Sequence, residues 1–349
     1  MTSQTPHRPQ MRKTRFVCIS DTHNQTPKLP RGDVLIHAGD LTNQGSLTEL
    51  QKTVAWLEKA DFEAKIIIAG NHDITLDAPF YHAHGTSWRF PEPQDPAACL
   101  KLLAESPSLT YLQHQSASIR LRSPTGPHTR FTVFGSPYSP TLCQWAFQYA
   151  EADAAELWDA IPEDTDVVIT HTPPRNHCDA AGAGHSRGCE GLRRRLWRVR
   201  PRLAVCGHIH EGRGAERVRW DGNGEEGCLE EGSELWEDTS AGSKKQSLVD
   251  LTGKGNGKGW RGLGDDGVET RHDIASLGLG GQSKGGGQPG GAGLTREKGE
   301  EKVRRETTTC VVNAAFMAAG YGEGPKRFNK PIVVDMDLPI WTDGDDGET

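Results

Sequence analysis

The sequence predicts an α/β protein built on a largely parallel sheet, and three observations predict it. Short apolar runs with the length and composition of buried strands recur at 16–20, 34–38, 65–69, 166–170 and 203–206. A helical pattern at 46–59 separates the second run from the third, and strand–helix–strand order implies parallel strands with a right-handed crossover. Each run is followed closely by a metal-ligating residue type: Asp21, Asp40, Asn71, His171 and His208. Open α/β sheets build their sites at the carboxyl ends of the strands.

Taken in order, residues 1–13 read as a disordered tail, polar, with Pro6 and Pro9, and without the apolar stretch of a signal peptide. The strand at 16–20 leads into Asp21. The strand at 34–38 leads into Gly39-Asp40, and His37 within it reads as a buried structural histidine. The helix at 46–59 has Ser46 as its cap and Glu49 three residues on, the two halves of a capping box. Leu47, Leu50, Val54 and Leu57 make its apolar face. The Ile-rich strand at 65–69 ends at Gly70-Asn71-His72-Asp73. Residues 77–108 read as a surface excursion with a helix near 97–105.

Segments 116–121 and 130–134 alternate like antiparallel strands around a turn at 124–127. A helix is expected at 151–160 and a strand at 166–170, ending at His171. A basic helix at 191–199, closed by Pro201, carries Arg193, Arg194 and Arg195 on its solvated face. The strand at 203–206 ends at Gly207-His208-Ile209-His210, and two more are expected at 309–314 and 332–336.

Hydrophobic residues are only 34% of the 349, and the cause is local: a stretch at 221–306 holds about half of the 41 glycines. Such a segment buries too little apolar area to offset its chain entropy and reads as a long disordered insertion in one domain spanning 14–341. It is free to contact unknown protein partners. An acidic tail follows at 342–349. The net charge of -7 argues against a general nucleic-acid binder. No run approaches the roughly 20 apolar residues of a membrane span. Eight cysteines without a CxxC pair read as reduced thiols, which places the protein in the cytoplasm.

The motifs specify a chemistry. Asp21 and His23 lie two apart at a strand end, so both side chains can reach one ion. Asp40 has two carboxylate oxygens and can bridge two ions. Asn71 offers a neutral oxygen, and His171, His208 and His210 complete a mixed nitrogen–oxygen set. That set suits two divalent metal ions, with Mn favoured and Fe, Zn, Co, Ni or Mg as alternatives, and it disfavours Ca. The reaction expected of such a pair is hydrolysis of a phosphate ester.

The series D-x-H, G-D, G-N-H-D, a later H, and G-H-x-H resembles the calcineurin-like metallophosphoesterase superfamily. The stretches FVCISDTHNQ, DVLIHAGDLT, KIIIAGNHDITLD, VVITHTPP, CGHIHEGRG and VVNAA look like its metallophosphoesterase-domain (MPPED) branch, relatives of class III cyclic-nucleotide phosphodiesterases. The likeness covers 14–220 and 307–341. It implies a four-layer αββα sandwich. It also implies one ion on Asp21, His23, Asp40 and His210, and a second on Asp40, Asn71, His171 and His208. Relatives often carry Asn-Ala-Ser where this chain has Asn313-Ala314-Ala315.

The expected reaction is in-line attack of a metal-bridging hydroxide on phosphorus. His72, beside a ligand but not one itself, serves as general acid toward the leaving alkoxide, and Asp73 either orients His72 or simply caps a turn. The favoured substrate is a small phosphodiester such as a cyclic nucleotide, because no arginine cluster lies beside the motifs in sequence. A phosphomonoesterase or phosphoprotein phosphatase is the alternative, and a catalytically silent scaffold the third. His177 and His185 read as exposed loop histidines, with substrate contact as the other option. Trp145 reads as core packing, with base stacking as its other use.

Overall fold

The computed structural model describes residues 10–182, 184–221, 229–240, 242–252, 260–262, 308–318 and 327–341. Two sheets face each other. In the first, the strands run Ser247–Asp250, Ile332–Pro339, Met11–Ile19, Val34–Ala38, Ala64–Ile68 and Thr110–Tyr111. The last four of these are mutually parallel. The second sheet centres on Arg130–Ser136, Val167–Thr170, Leu203–Cys206 and Thr308–Asn313, again parallel. Antiparallel strands flank these four, Gln115–Arg120 on one side and Gly214–Trp220 on the other.

Strand alternation assigns side chains to layers. Phe16 and Cys18 join Ile36, Ile68, Val133, Ile169, Val205 and Val312 in the core between the sheets. Val17 and Ile19 face the other way, onto Leu50, Val54 and Leu57 of helix Leu47–Lys59 and Leu103 of helix Pro96–Ala104. On the far side Val168, Ala204 and Val311 meet Leu192, Leu196 and Val199 of helix Glu190–Val199, with Trp158 beneath. Helix, sheet, sheet, helix is the four-layer sandwich expected. Both parallel cores are covered on two faces, which is why their strands read as near-continuous apolar runs.

The local signals work as read. Ser46 and Glu49 form the complete capping box at the start of helix Leu47–Lys59. Helix Glu190–Val199 ends on Arg200 in a left-handed conformation, just before Pro201. The helix expected at 151–160 is shorter, a 3-10 turn followed by Ala154–Trp158.

Two boundaries move. The first strand begins at Met11, inside the expected tail, because Met11, Arg12 and Lys13 pair with Pro339, Leu338 and Asp337. The insertion begins later than residue 221. Glu230–Trp236 pairs with Gly214–Trp220, and Ser247–Asp250 joins the first sheet beside Ile332–Pro339. Two things hold these segments: Val249 is buried in the core between the sheets with Trp236 and Leu251 packed against it, and Glu234 engages Arg217 and Arg219 while Glu230 engages Arg193, isolated contributions that a low-hydrophobicity criterion does not register. The rest of the predicted insertion, apart from 260–262, and residues 1–9 and 342–349 lie outside the described residues. No described helix is long and apolar enough to cross a membrane. The seven described cysteines form no disulfide.

Candidate metal centre

Five strand ends of the two sheets, Ile19, Ala38, Ile68, Thr170 and Cys206, deliver their polar residues to one point. Asp21, Asp40 and His171 are buried there, and His23 with them. The backbone bends to allow it: Asp21, His23, Asp40 and His208 all have left-handed φ values between 44° and 64°. Non-glycine residues in that region are uncommon, and clusters of them mark functional sites. Two glycines of the motifs serve space instead. A Cβ on Gly70 would overlap the Asp40 carboxylate, and one on Gly207 would overlap Ser20 Oγ and Asp21 Oδ2.

Donor atoms converge in three overlapping groups: Asp21, His23 and His210; His23, Asp40 and His72; and Asp21, Asp40 and His171, each within 4.8 Å. His210 Nε2 lies 3.2 Å from Asp21 Oδ1. His171 Nε2 lies 3.0 Å from Asn71 Oδ1 and 3.4 Å from Asp40 Oδ1. Its other nitrogen is 2.9 Å from the Ala38 carbonyl and donates to it. That bond fixes the tautomer and turns the lone pair of Nε2 toward two oxygen acceptors. Three acceptors facing one another need a cation between them. Where no metal supplies it, a proton does. Burial alone would lower the His171 pKa, but Asp40 outweighs burial and raises it to about 9.

The same deficit recurs. His23 Nε2 is buried, 3.6 Å from Asp40 Oδ2, with no hydrogen-bond partner. Burial opposes ionisation of Asp21 and Asp40, yet neighbouring histidines hold both below the usual carboxylate range. The donor set therefore fits divalent cations, and Asp21, His23, Asp40, Asn71, His171 and His210 are the residues placed to hold them.

His208 sits differently. Its backbone N–H donates to both oxygens of Asp21, at 3.1 Å each. Its ring packs 4.9 Å from that of His171 but joins none of the three donor groups. Burial and His171 lower its pKa to about 4, so the ring is neutral and able to ligate.

His72 donates its backbone N–H to Asp40 Oδ1 at 2.8 Å, and its ring Nδ1 lies 2.9 Å from the Asn43 carbonyl. The ring leans on Trp145, centroids 4.1 Å apart, which in turn packs on Trp88. Asp73 does not orient His72. It is buried and accepts from the N–H groups of Leu41, Thr42 and Gly70 and from Thr42 Oγ1. Burial, aided by Asp40, raises its pKa to about 6 against those hydrogen bonds. Asp73 thus ties the loop after Asp40 to the loop holding Asn71, because its oxygens reach across neighbouring strands.

Two expected surface features are internal. His177 is buried, with Nε2 3.3 Å from Glu230 Oε1 and Nδ1 3.1 Å from Glu216 Oε1, the latter off the hydrogen-bonding direction. Arg193 chelates Glu230 and also reaches Glu190, so it leaves the solvated face, whereas Arg194 stays largely exposed. His37 is buried, 2.9 Å from Thr22 Oγ1, and His185 is exposed. Asn313 clamps the loop carrying His208 and His210, donating to the Ile209 carbonyl at 2.8 Å and to the Cys178 carbonyl at 2.9 Å. Its place in the VVNAA stretch was the available signal. A cavity of about 690 Å³ lined by Phe62, Lys65, Leu109 and Arg120 shares no residue with the site.

A sandwich of two sheets with a buried carboxylate–imidazole cluster at the carboxyl ends of its parallel strands is that of a metallophosphoesterase. The chain belongs to the calcineurin-like phosphoesterase family, whose model matches residues 14–212. It is 39% identical over 215 residues to human metallophosphoesterase domain-containing protein 1, covering 58% of this chain and 62% of that protein. It is 35% identical over 224 residues to a UPF0046 protein of Caenorhabditis elegans, covering 61% and 55%. It is also 44% identical over 209 residues to a protein of Emericella nidulans named a probable rhamnogalacturonate lyase C, covering 59% of this chain and 18% of the other. The matches span less than two thirds of each of these relatives.

Proposed function

We propose that the protein is a two-metal phosphodiesterase acting on small diesters, cyclic nucleotides among them, with Mn as the favoured ion. The observation that carries this reading is the cation deficit at His171, Asp40 and Asn71, where three acceptors converge out of water. Bound divalent ions there supply Lewis-acid stabilisation of phosphoryl charge and a water nucleophile at neutral pH. Asp40, whose two oxygens face His171 on one side and His23 on the other, suits a ligand shared by two ions. His72, which donates Nδ1–H to the Asn43 carbonyl and rests against Trp145 on a ring face, is placed to give the Nε2 proton of its imidazolium form to the leaving oxygen, returning to the neutral ring.

A diester preference is supported by the charges that act most strongly on Asp21 and Asp40, which come from histidines and from each other rather than from a guanidinium. Enzymes that grip a dianionic monoester add arginines. The test is hydrolysis of bis(p-nitrophenyl) phosphate beside p-nitrophenyl phosphate with Mn, for wild type and Asp40→Ala. Diester preference lost in the variant supports the reading. A monoester preference moves it to a phosphatase, and a folded protein inactive with every metal leaves a scaffold.

A further inference from the structure

A cavity of about 530 Å³ opens beside the centre, and of the site's histidines only His208 lines it. Its wall carries Leu142, 72% exposed, together with Ile209 and Tyr149. Its rim carries Arg175 and Arg187. Both arginines are exposed, and neither guanidinium forms an ion pair among the described residues, although Glu151 and Glu211 lie on the same rim. The third acid there, Glu190, is occupied by Arg193 and Arg194.

The two arginines stand on a built frame rather than on a loose loop. The backbone of the Arg175 segment pairs with Cys189, Arg175 N donating to its carbonyl at 3.0 Å and Cys189 N to the Pro173 carbonyl at 2.9 Å. Buried Asp179 knots the hairpin from inside, accepting from Asn176 N at 3.0 Å, from Gly188 N at 2.8 Å and from Ser186 Oγ. A Cβ at Gly188 would press on the Pro174 carbonyl at 2.6 Å, so the two strands of the knot are in contact. Two uncommitted guanidinium forks on a fixed scaffold are suited to an anion. Because Asp21, Asp40, His23, His171 and His210 are absent from the cavity lining, that anion is not the reacting phosphoryl group.

We propose that this cavity receives the organic half of the substrate and that Arg175 and Arg187 hold a second anionic group on it. The class is a ring-bearing phosphoester with an additional phosphate or carboxylate, such as a nucleotide phosphorylated at a further position. This rests on the phosphodiesterase reading above, deepens it to a substrate class, and makes the two arginines specificity-determining.

The test compares two chromogenic diesters with the Mn-loaded full chain: the p-nitrophenyl ester of thymidine 5′-phosphate, and the same ester carrying a 3′-phosphate. In wild type the extra phosphate is expected to lower KM about tenfold, the scale of one or two charge-assisted hydrogen bonds. In Arg175→Ala/Arg187→Ala the ratio of the two KM values is expected to fall to about one, and Arg187→Lys to recover part of it through charge alone. An unchanged ratio in the double variant overturns the proposal. So does an equal loss on both esters, which would place the arginines on the reacting phosphoryl. If the chain hydrolyses neither ester nor bis(p-nitrophenyl) phosphate, the phosphodiesterase reading fails separately. Calorimetric titration with thymidine 3′,5′-bisphosphate then decides the site: weaker binding in the double variant supports it, and equal or absent binding overturns it.

Discussion

Among the described residues, two buried clusters of carboxylate and imidazole stand out, and they differ in how their charge is balanced. Around His177, two glutamates meet a protonatable ring and Arg193, so the negative charges have cations of their own. Around His171, two aspartates, an amide oxygen and a fixed imidazole lone pair converge, and the groups that offset the charge of Asp21 and Asp40 are the histidines that would themselves ligate. A buried acid cluster that balances itself holds structure together. One that does not is suited to hold a metal. Left-handed backbone occurs at both, at Asp21, His23, Asp40 and His208 in the second cluster and at Asn176 and Cys178 on either side of His177 in the first, so the difference between them lies in charge.

The sharpest way to break this contrast is to remove an acid from each. Asp40→Ala is expected to lower Mn-dependent diester turnover by about 10²–10³-fold or more, the scale of losing one group that stabilises transition-state charge, since it removes a ligand from both proposed ion positions. Elemental analysis should show the metal lost as well. Added Mn should raise the melting temperature of wild type, by about 2.7 kcal/mol of stabilisation at a hundredfold excess over Kd, and leave the variant unmoved. Retained metal and turnover in Asp40→Ala would refute the assignment.

The matching change in the other cluster is Glu216→Ala. Removing one partner of a buried pair costs about 3–5 kcal/mol, because a charge is left without compensation. Here the lower end is expected, since Glu230 and its 21% exposed side chain still serve His177. Thermal unfolding should fall by roughly 6–12 °C at about 2–4 °C per kcal/mol, while metal content stays at the wild-type level. Loss of metal without loss of stability would mean that the two clusters had been assigned the wrong way round.

This contrast also explains what was legible in the sequence. The strands, the capping box and the candidate metal-site residues are written in short-range signals: an apolar run, then a ligating residue type within a few residues. What was not legible depends on chain segments meeting from far apart. Met11–Lys13 becomes strand only because 337–339 lies beside it. Glu230 becomes structural only because it meets His177, 53 residues away, and Arg193, 37 residues away. Asp73 looked like a partner for its neighbour His72, yet its hydrogen bonds go to Leu41, Thr42 and Gly70. The adjacent-residue reading failed because a strand end faces the next strand more closely than it faces its own chain.

A pH series sharpens the comparison with a smaller effect. Burial alone would lower the His177 pKa, but Glu216 and Glu230 reverse that and raise it to about 9, above the roughly 6.5 of the unfolded chain. A raised pKa in the folded state means that the His177 contribution is complete below about pH 6.5 and is lost as pH climbs through about 9. Wild type should therefore lose melting temperature between pH 6.5 and 9.5 relative to His177→Gln, and the two curves should converge at high pH. Parallel curves would show that the ring is neutral when folded and that the cluster is balanced by Arg193 alone.

The smallest expected effect tests how the metal centre borders on ordinary packing. Trp145 touches His72, centroids 4.1 Å apart and planes at 38°, and is itself braced by Trp88. If His72 gives a proton to the leaving oxygen, Trp145 is its positioning residue, and its value depends on the leaving group. An aryl oxide leaves with little help, whereas an alkoxide needs the proton. Trp145→Ala should therefore lower kcat by about threefold to tenfold on an alkyl diester, a fraction of the 10²–10⁴-fold that general acids contribute. On bis(p-nitrophenyl) phosphate kcat should scarcely move, and KM should change little on either ester. Equal losses on both would reduce Trp145 to a filler between the site and the Ala78–His84 helix region, and would remove the support it lends to His72 as the acid.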